Sequence, residues 1–243
     1  MMDEAVNRRR ATFLDRLERK MKIYTLGLIA IASIALACGV VKQPGAQGTA
    51  PAAPPVSGKT VTRDLSGYKK IKAENAIVLN ISAQQPYKLT IHADESEIAN
   101  VLTEVDDDTL VIKLKDNATG KSKIEVTIAL PELTGVELTG ATKAEIASAK
   151  TDELEIKAVG ASTAKVDGAV SSLKVKAIGA STVDTEDLKA DKADVESTGA
   201  SSVVVSVTNK LKAKAVGASS VTYIGDPKDF EQDASDVSSI KKK

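Results

Sequence analysis

From Thr60 onward the chain alternates apolar and polar residues in short runs. "AIVLNI" (76–81), "YKLTIHA" (87–93), "TLVIKLK" (109–115) and "KIEVTIALP" (123–131) keep the two-residue period of a half-buried strand. Between them "DDD" (106–108) and "DNATGKS" (116–122) supply turn chemistry. One stretch departs from that period. In "ADESEIANVLTEV" (93–105), Ile98, Val101 and Leu102 stand at helical spacing, which predicts a helix of one to two turns.

The second half adds a longer period. "AVGASTAKV" (158–166) returns as "AIGASTVDT" (177–185), "STGASSVVV" (197–205) and "AVGASSVTY" (215–223). Gly140, Gly160, Gly179, Gly199 and Gly217 are spaced 20, 19, 20 and 18 residues apart, and "DVSSI" puts Asp236 in the same place 19 further on, a repeat of about 19 residues. Inward positions precede each glycine by four and two residues: Val136/Leu138, Ile156/Ala158, Val175/Ala177, Val195/Ser197 and Ala213/Ala215. Four residues after it come Ala144, Ala164, Val183, Val203, Val221 and, in the last copy, Ile240. Such a unit is too short for two strands and a crossover helix. It reads as one coil of an all-β, single-stranded parallel β-helix, each coil stacking on the last at about 4.8 Å. Glycine then marks a corner, alanine fits its narrow inside, and the hydroxyls of Thr142, Ser162, Ser181, Ser201, Ser219 and Ser238 satisfy backbone groups at the bend. An antiparallel meander or a propeller with blades of about 39 residues, two repeats each, is the rival architecture.

Composition narrows the chemistry. The formal net charge of zero gives no hint of a nucleic-acid partner. Cys38 is the only cysteine and His92 the only histidine, so neither an internal disulfide nor a multi-histidine metal site is expected. Beyond residue 38 the aromatic residues are Tyr68, Tyr87, Tyr223 and Phe230, which leaves Val, Ile, Leu and Ala to fill the core. No catalytic, cofactor or metal residues are assigned.

The N-terminus reads as an address. "IYTLGLIAIASIALA" (23–37) is about 22 Å long as a helix, short for a hydrocarbon core of about 30 Å and suited to a signal peptide. Ala37-Cys38-Gly39 follows and resembles a lipoprotein lipobox, which makes Cys38 the expected site of lipidation and membrane anchoring. Met21, followed by Lys22, is the better translation start, because residues 1–20 mix Asp and Glu into what should be a short basic region. Expected domains are therefore a signal peptide (1–37), a lipidated Cys with a disordered Pro/Gly-rich linker (38–59) and a β-helix head (60–243). The head divides into N-terminal coils (60–130) and the Gly-Ala-Ser repeats (131–240). Gly39 after the cysteine is compatible with export to the outer membrane.

The phrases "ELTGATKAEI", "KAVGASTAKV", "KAIGASTVDT", "ESTGASSVVV" and "KAVGASSVTYIGDP", with the opening "RDLSGYKKIKAENAIVLNISAQQPYKLTIHAD", resemble the putative auto-transporter adhesin head (GIN) domain family of bacterial surface and periplasmic proteins. The resemblance spans about residues 60–240. It implies a right-handed parallel β-helix, frequently behind a lipoprotein signal, with no established catalytic activity.

Two functions fit. The first is a noncatalytic cell-envelope lipoprotein that presents a rigid β surface for adhesion, binding or assembly, with Ser162, Ser181, Thr182, Ser201, Ser202 and Ser219 as the candidate binding strip. Its partner would be an envelope or surface protein or a glycan, with self-association open. The alternative is a carbohydrate-active β-helix, for which Asp184, Glu186, Asp187, Asp191 and Asp194 form the best local acidic group. No arginine follows Arg63, which disfavours that chemistry. Lys241, Lys242 and Lys243 read as a charged block at an open solenoid end that discourages edge-to-edge growth.

Overall fold

The computed structural model describes residues 58–116 and 122–243. The signal peptide, Cys38, nearly all of the linker and most of the "DNATGKS" turn lie outside the described residues. The head is built from two long sheet layers joined at one side by sharp corners and, in the repeats, at the other by a short third parallel ladder (149–151, 168–170, 188–190 and 206–207). One layer is ordered β5 (Val101–Asp106), β6 (Thr109–Leu114), β2 (Lys70–Ala73) and β8 (Gly135–Gly140). It continues through the second halves of β9 (Lys143–Gly160), β10 (Thr163–Gly179), β11 (Thr182–Gly199) and β12 (Ser202–Gly217), and ends at β14 (Asp229–Ala234). The other layer begins with β1 (Lys59–Arg63), β4 (Lys88–Ala93), β7 (Ile124–Ala129) and β3 (Ile77–Ser82). The first halves of β9 to β12 extend it to β13 (Ser220–Ile224) and β15 (Ser239–Lys242).

Every contact from β3/β9 to β15 is parallel, and equivalent residues stack one to one. Leu154, Leu173, Ala193, Leu211 and Phe230 form one column, Ile156, Val175, Val195, Ala213 and Gln232 the next. This is the parallel β-solenoid expected from the 19-residue period. The inward positions read from the sequence are buried, apart from Ile240, which is half-buried in the last coil. Fully buried side chains near the first coils are the large Ile71, Leu79, Leu110 and Ile112, whereas the glycine-cornered coils add more alanine and valine around Leu154, Leu173, Leu188 and Leu211. Two thin layers thus close with little aromatic volume.

Residues 60–130 are less regular than a run of N-terminal coils. The strand pair β2/β3 lies between β6/β7 and β8/β9, so the first coil of the sequence is the second in the stack. Antiparallel pairing of β5 with β6, and of β1 with β4 and β4 with β7, finishes that end. β1 starts at Lys59, so the head begins one residue before the expected boundary. Helix α1 (Glu95–Ile98) is a single turn. Val101 and Leu102, expected to continue it, open β5 instead, because Asn100 closes the turn through its N–H to Glu97 O (2.9 Å) and its side-chain amide to Ser96 O (3.2 Å). Pairing with β6 then decides the next residues, and tertiary context overrides local spacing. Arg63 closes this end by donating to Val101 O (2.7 Å) and Thr103 Oγ1 (2.5 Å) across to β5.

Candidate functional site

The repeated phrase is a ladder of corners. Gly140, Gly160, Gly179, Gly199 and Gly217 have φ between 84° and 92°, in the left-handed region. A β-carbon on Gly160 would lie 2.8 Å from Gly140 O, so the glycines serve both conformation and close stacking. Each following alanine N–H donates to the previous corner's carbonyl, as in Ala180 N to Gly160 O at 2.8 Å. The ends of the ladder differ. Asn75 (φ 77°) forms the corner below Gly140 and Asp236 (φ 61°) the corner beyond Gly217. With no glycine corner beyond them, their side chains cap the ladder: Asn75 Oδ1 accepts Leu114 N–H (3.0 Å) and Asp236 Oδ2 accepts Gly217 N–H (3.2 Å).

Burial corrects the expected binding strip. Ser162, Ser181, Ser201 and Ser219 are 0–2% exposed, with their hydroxyls inside the corner. Each donates to the carbonyl three residues earlier: Ser162 to Val159 (2.9 Å), Ser181 to Ile178 (2.8 Å), Ser201 to Thr198 (3.1 Å) and Ser219 to Val216 (3.0 Å). Thr142 and Ser238 repeat the bond. The serine thereby adds a side-chain donor to the carbonyls that converge at the bend. Of the six strip residues only Thr182 and Ser202 face solvent.

A different hydroxyl column faces outward one position later, with Thr182, Ser202 and Ser239 exposed and Thr163 and Ser220 half-buried. Thr163, Thr182, Ser202, Ser220 and Ser239 stack in register on the outer face of the second layer. Ala161, Ala180, Ala200 and Ala218 run beside them along the exposed corner edge. The signal for this column was the second hydroxyl of "GAST" and "GASS", which the two-residue alternation places outside. Its neighbours Lys165, Asp184, Val204 and Thr222 carry mixed chemistry, and the nearest recess is shallow, lined by Asn80, Ser82, Glu145, Lys165 and Asp167.

The acidic group proposed for sugar chemistry is dispersed. Asp194 lies on the first layer and Asp184 on the second. Glu186 pairs with Lys243 (2.6 Å), Asp187 with Lys165 (3.8 Å), and Asp191 accepts from Thr208 and Asn209. Among the described residues no group of three or more His, Cys, Asp or Glu is placed to hold a metal. His92 is half-buried on β4 with Nδ1 3.0 Å from Thr60 Oγ1. Ionisation is perturbed mainly near the first coils. Lys59, Lys70 and Lys123 hydrogen-bond the carboxylates of Glu95, Asp108 and Glu125 respectively and hold them below the ordinary range. Burial pushes the Tyr68 phenol up to about 12, with nearby Tyr87 adding to the rise.

A stack of glycine-cornered coils with hydroxyls in register on its outer face defines a parallel β-solenoid. The chain belongs to the family described as "putative auto-transporter adhesin, head GIN domain", whose model matches residues 67–227. Membership supports an adhesion-like role at the cell envelope or surface. Among solved structures the chain is similar to a putative adhesin from Bacteroides fragilis NCTC 9343, at 20% identity and a TM-score of 0.61 over 78% of this chain and 99% of that one. It is also similar to a putative lipid binding protein from Parabacteroides distasonis ATCC 8503, at 19% identity and a TM-score of 0.50 over 78% and 98%. At such identities the likeness establishes the fold. A search of curated proteins gave no match.

Proposed function

We propose that the chain is a noncatalytic, lipid-anchored envelope head, tethered through an acylated Cys38 on the outer membrane and held off the bilayer by the Pro/Gly-rich linker. Its outer β face binds a surface protein or glycan. The observation that carries this reading is the outward column Thr163, Thr182, Ser202, Ser220 and Ser239, in register on a backbone whose every corner is locked. A rigid row of hydroxyls and alanine methyls suits a flat partner, because little side-chain entropy is lost when it is covered.

The test is pull-down from native envelopes. Thr182→Ala with Ser202→Ala is expected to weaken partner retention several-fold, whereas Ser181→Ala with Ser201→Ala, which touches only buried hydroxyls, is expected to leave it unchanged in folded protein. Equal retention by both pairs sinks the outward-column reading. Anchoring is checked separately: Cys38→Ser is expected to abolish palmitate labelling and leave the precursor uncut, and persistent labelling would remove the lipoprotein reading.

A further inference from the structure

We propose that the far end of the solenoid, the edge formed by β14 and β15, pairs with the same edge of a second copy of this chain. The coil there is terminal by composition. Gln232 occupies the inward column of Ile156, Val175, Val195 and Ala213, and Asp236 replaces the corner glycine. Phe230 at 38% and Val237 at 81% remain exposed in it, and the outer edges of β14 and β15 carry no strand among the described residues. Unpaired edges of this kind are templates for strand addition.

Charge selects the occupant. One outward column of the first layer alternates in sign from coil to coil, Glu155, Lys174, Asp194, Lys212 and Glu231, while its neighbours also stack Lys192 on Lys210 and Lys157 on Lys176. The column ends on an acid, as do its neighbours at Asp229 and Asp233; each pairs with a lysine of the coil below (Lys212, Lys210 and Lys214), and a basic rung on the open side complements all three. The strand beside β14 in the same coil, β15, is that rung, because it carries Lys241 and Lys242 and is followed by Lys243. A two-fold axis parallel to the strands lays β14 antiparallel to the β15 of the other copy, and the same contact recurs on the second layer. Pairing then sets Asp233 against the partner's Ser239 and Glu231 against the partner's Lys241 on the outer face, with Asp229, held by Lys210, opposite the partner's Lys243, which would have to leave Glu186 to reach it.

The alternatives are charge-mismatched. β14 on β14 opposes acid to acid, and β15 on β15 opposes lysine to lysine. Head-to-tail growth would bring β14 onto β5, whose exposed outward residues are Leu102, Glu104 and Asp106. The lysine block therefore rejects open growth and admits a closed, isologous dimer. Because β1 lies at the opposite end of the stack, the two heads of such a dimer start at its two far ends. Taken with the proposed anchor at Cys38, on which this last step rests, the dimer joins two facing membranes.

Sedimentation equilibrium on the full chain in non-ionic detergent tests the contact without reference to the anchor. A monomer–dimer equilibrium is expected. Lys241→Glu should weaken it by roughly tenfold or more, because each of two symmetric pairs becomes repulsive. Glu231→Lys combined with Lys241→Glu should restore it, which also shows that loss in the single variant was not misfolding. Oxidation of a Glu231→Cys, Lys241→Cys double variant should trap a covalent dimer that neither single cysteine variant forms beyond the wild-type background. A monomeric wild type, an unaffected Lys241→Glu, or trapping by Glu231→Cys alone overturns the arrangement. Clustering of vesicles that carry the acylated chain reports the membrane-joining step: a dimer in detergent without clustering refutes that step and leaves the edge contact standing.

Discussion

At the scale of single residues the corner glycines do two things that substitution can separate. Gly160 and Gly67 both have φ near 85°, but a β-carbon at Gly67 meets nothing within 4 Å while one at Gly160 presses on Gly140 O. Gly67→Ala is expected to cost about 1 kcal/mol from the left-handed backbone alone. Gly160→Ala adds the collision with the coil below and is expected to cost roughly 2–3 kcal/mol. Chemical denaturation of the two variants checks this, and equal losses would show that stacking distance is not what the glycine protects. The buried serines have a similar single purpose. Ser181→Ala removes the buried hydroxyl that donates to Ile178 O at 2.8 Å, a loss of about 1 kcal/mol in the same assay. Elsewhere the phrase repeats because both requirements repeat.

At the scale of elements, how much was legible depends on whether the repeat carried the information. The long strands β9 to β12, their inward columns and their corners follow from the 19-residue period, since in-register stacking makes every coil solve the same problem with the same residues. Asn75 escaped notice because "AENAIV" contains no glycine, yet it forms a corner of the same ladder with an amide side chain that tolerates positive φ. The insertion of β2/β3 between β6/β7 and β8/β9 was equally hidden: the partner of a strand is chosen by nonlocal packing, and alternation alone predicts a strand without saying beside which other it lies. The binding strip was misplaced for a simpler reason. Two adjacent hydroxyls point to opposite faces of a strand, so Ser181 and Thr182 cannot share one strip.

At the scale of the whole molecule the two ends of the stack are packed differently. The glycine-cornered coils share columns of buried apolar side chains, so neighbouring coils support one another and their exposed ion pairs, worth about 0–1 kcal/mol each, matter little. The first-coil end buries the largest apolar side chains and adds exposed ion pairs around them. Glu95 on α1 pairs with Lys59 of β1, Asp108 in the β5–β6 turn with Lys70 of β2, and Glu125 of β7 with Lys123 and the Asn80 amide of β3. All three carboxyls are held below their ordinary values of 4.5, 3.8 and 4.5 by those donors. A group depressed in the folded state gives its stability in full above its unfolded pKa and loses it as pH falls through the folded one. Acid removes these pairs, which are screened by solvent and individually weak, so a local loosening of this end is the expected effect. Amide hydrogen exchange at pH 3, compared with pH 7 after correction for intrinsic rates, is expected to lose protection in β1, α1 and the β5–β6 hairpin while residues 163–217 stay protected. Glu125→Gln should flatten part of that pH dependence, since the amide can still meet Asn80 but no longer titrates. Simultaneous opening of all coils at pH 3 would mean that the capping end and the repeats form one cooperative unit, with the charge pairs incidental to it.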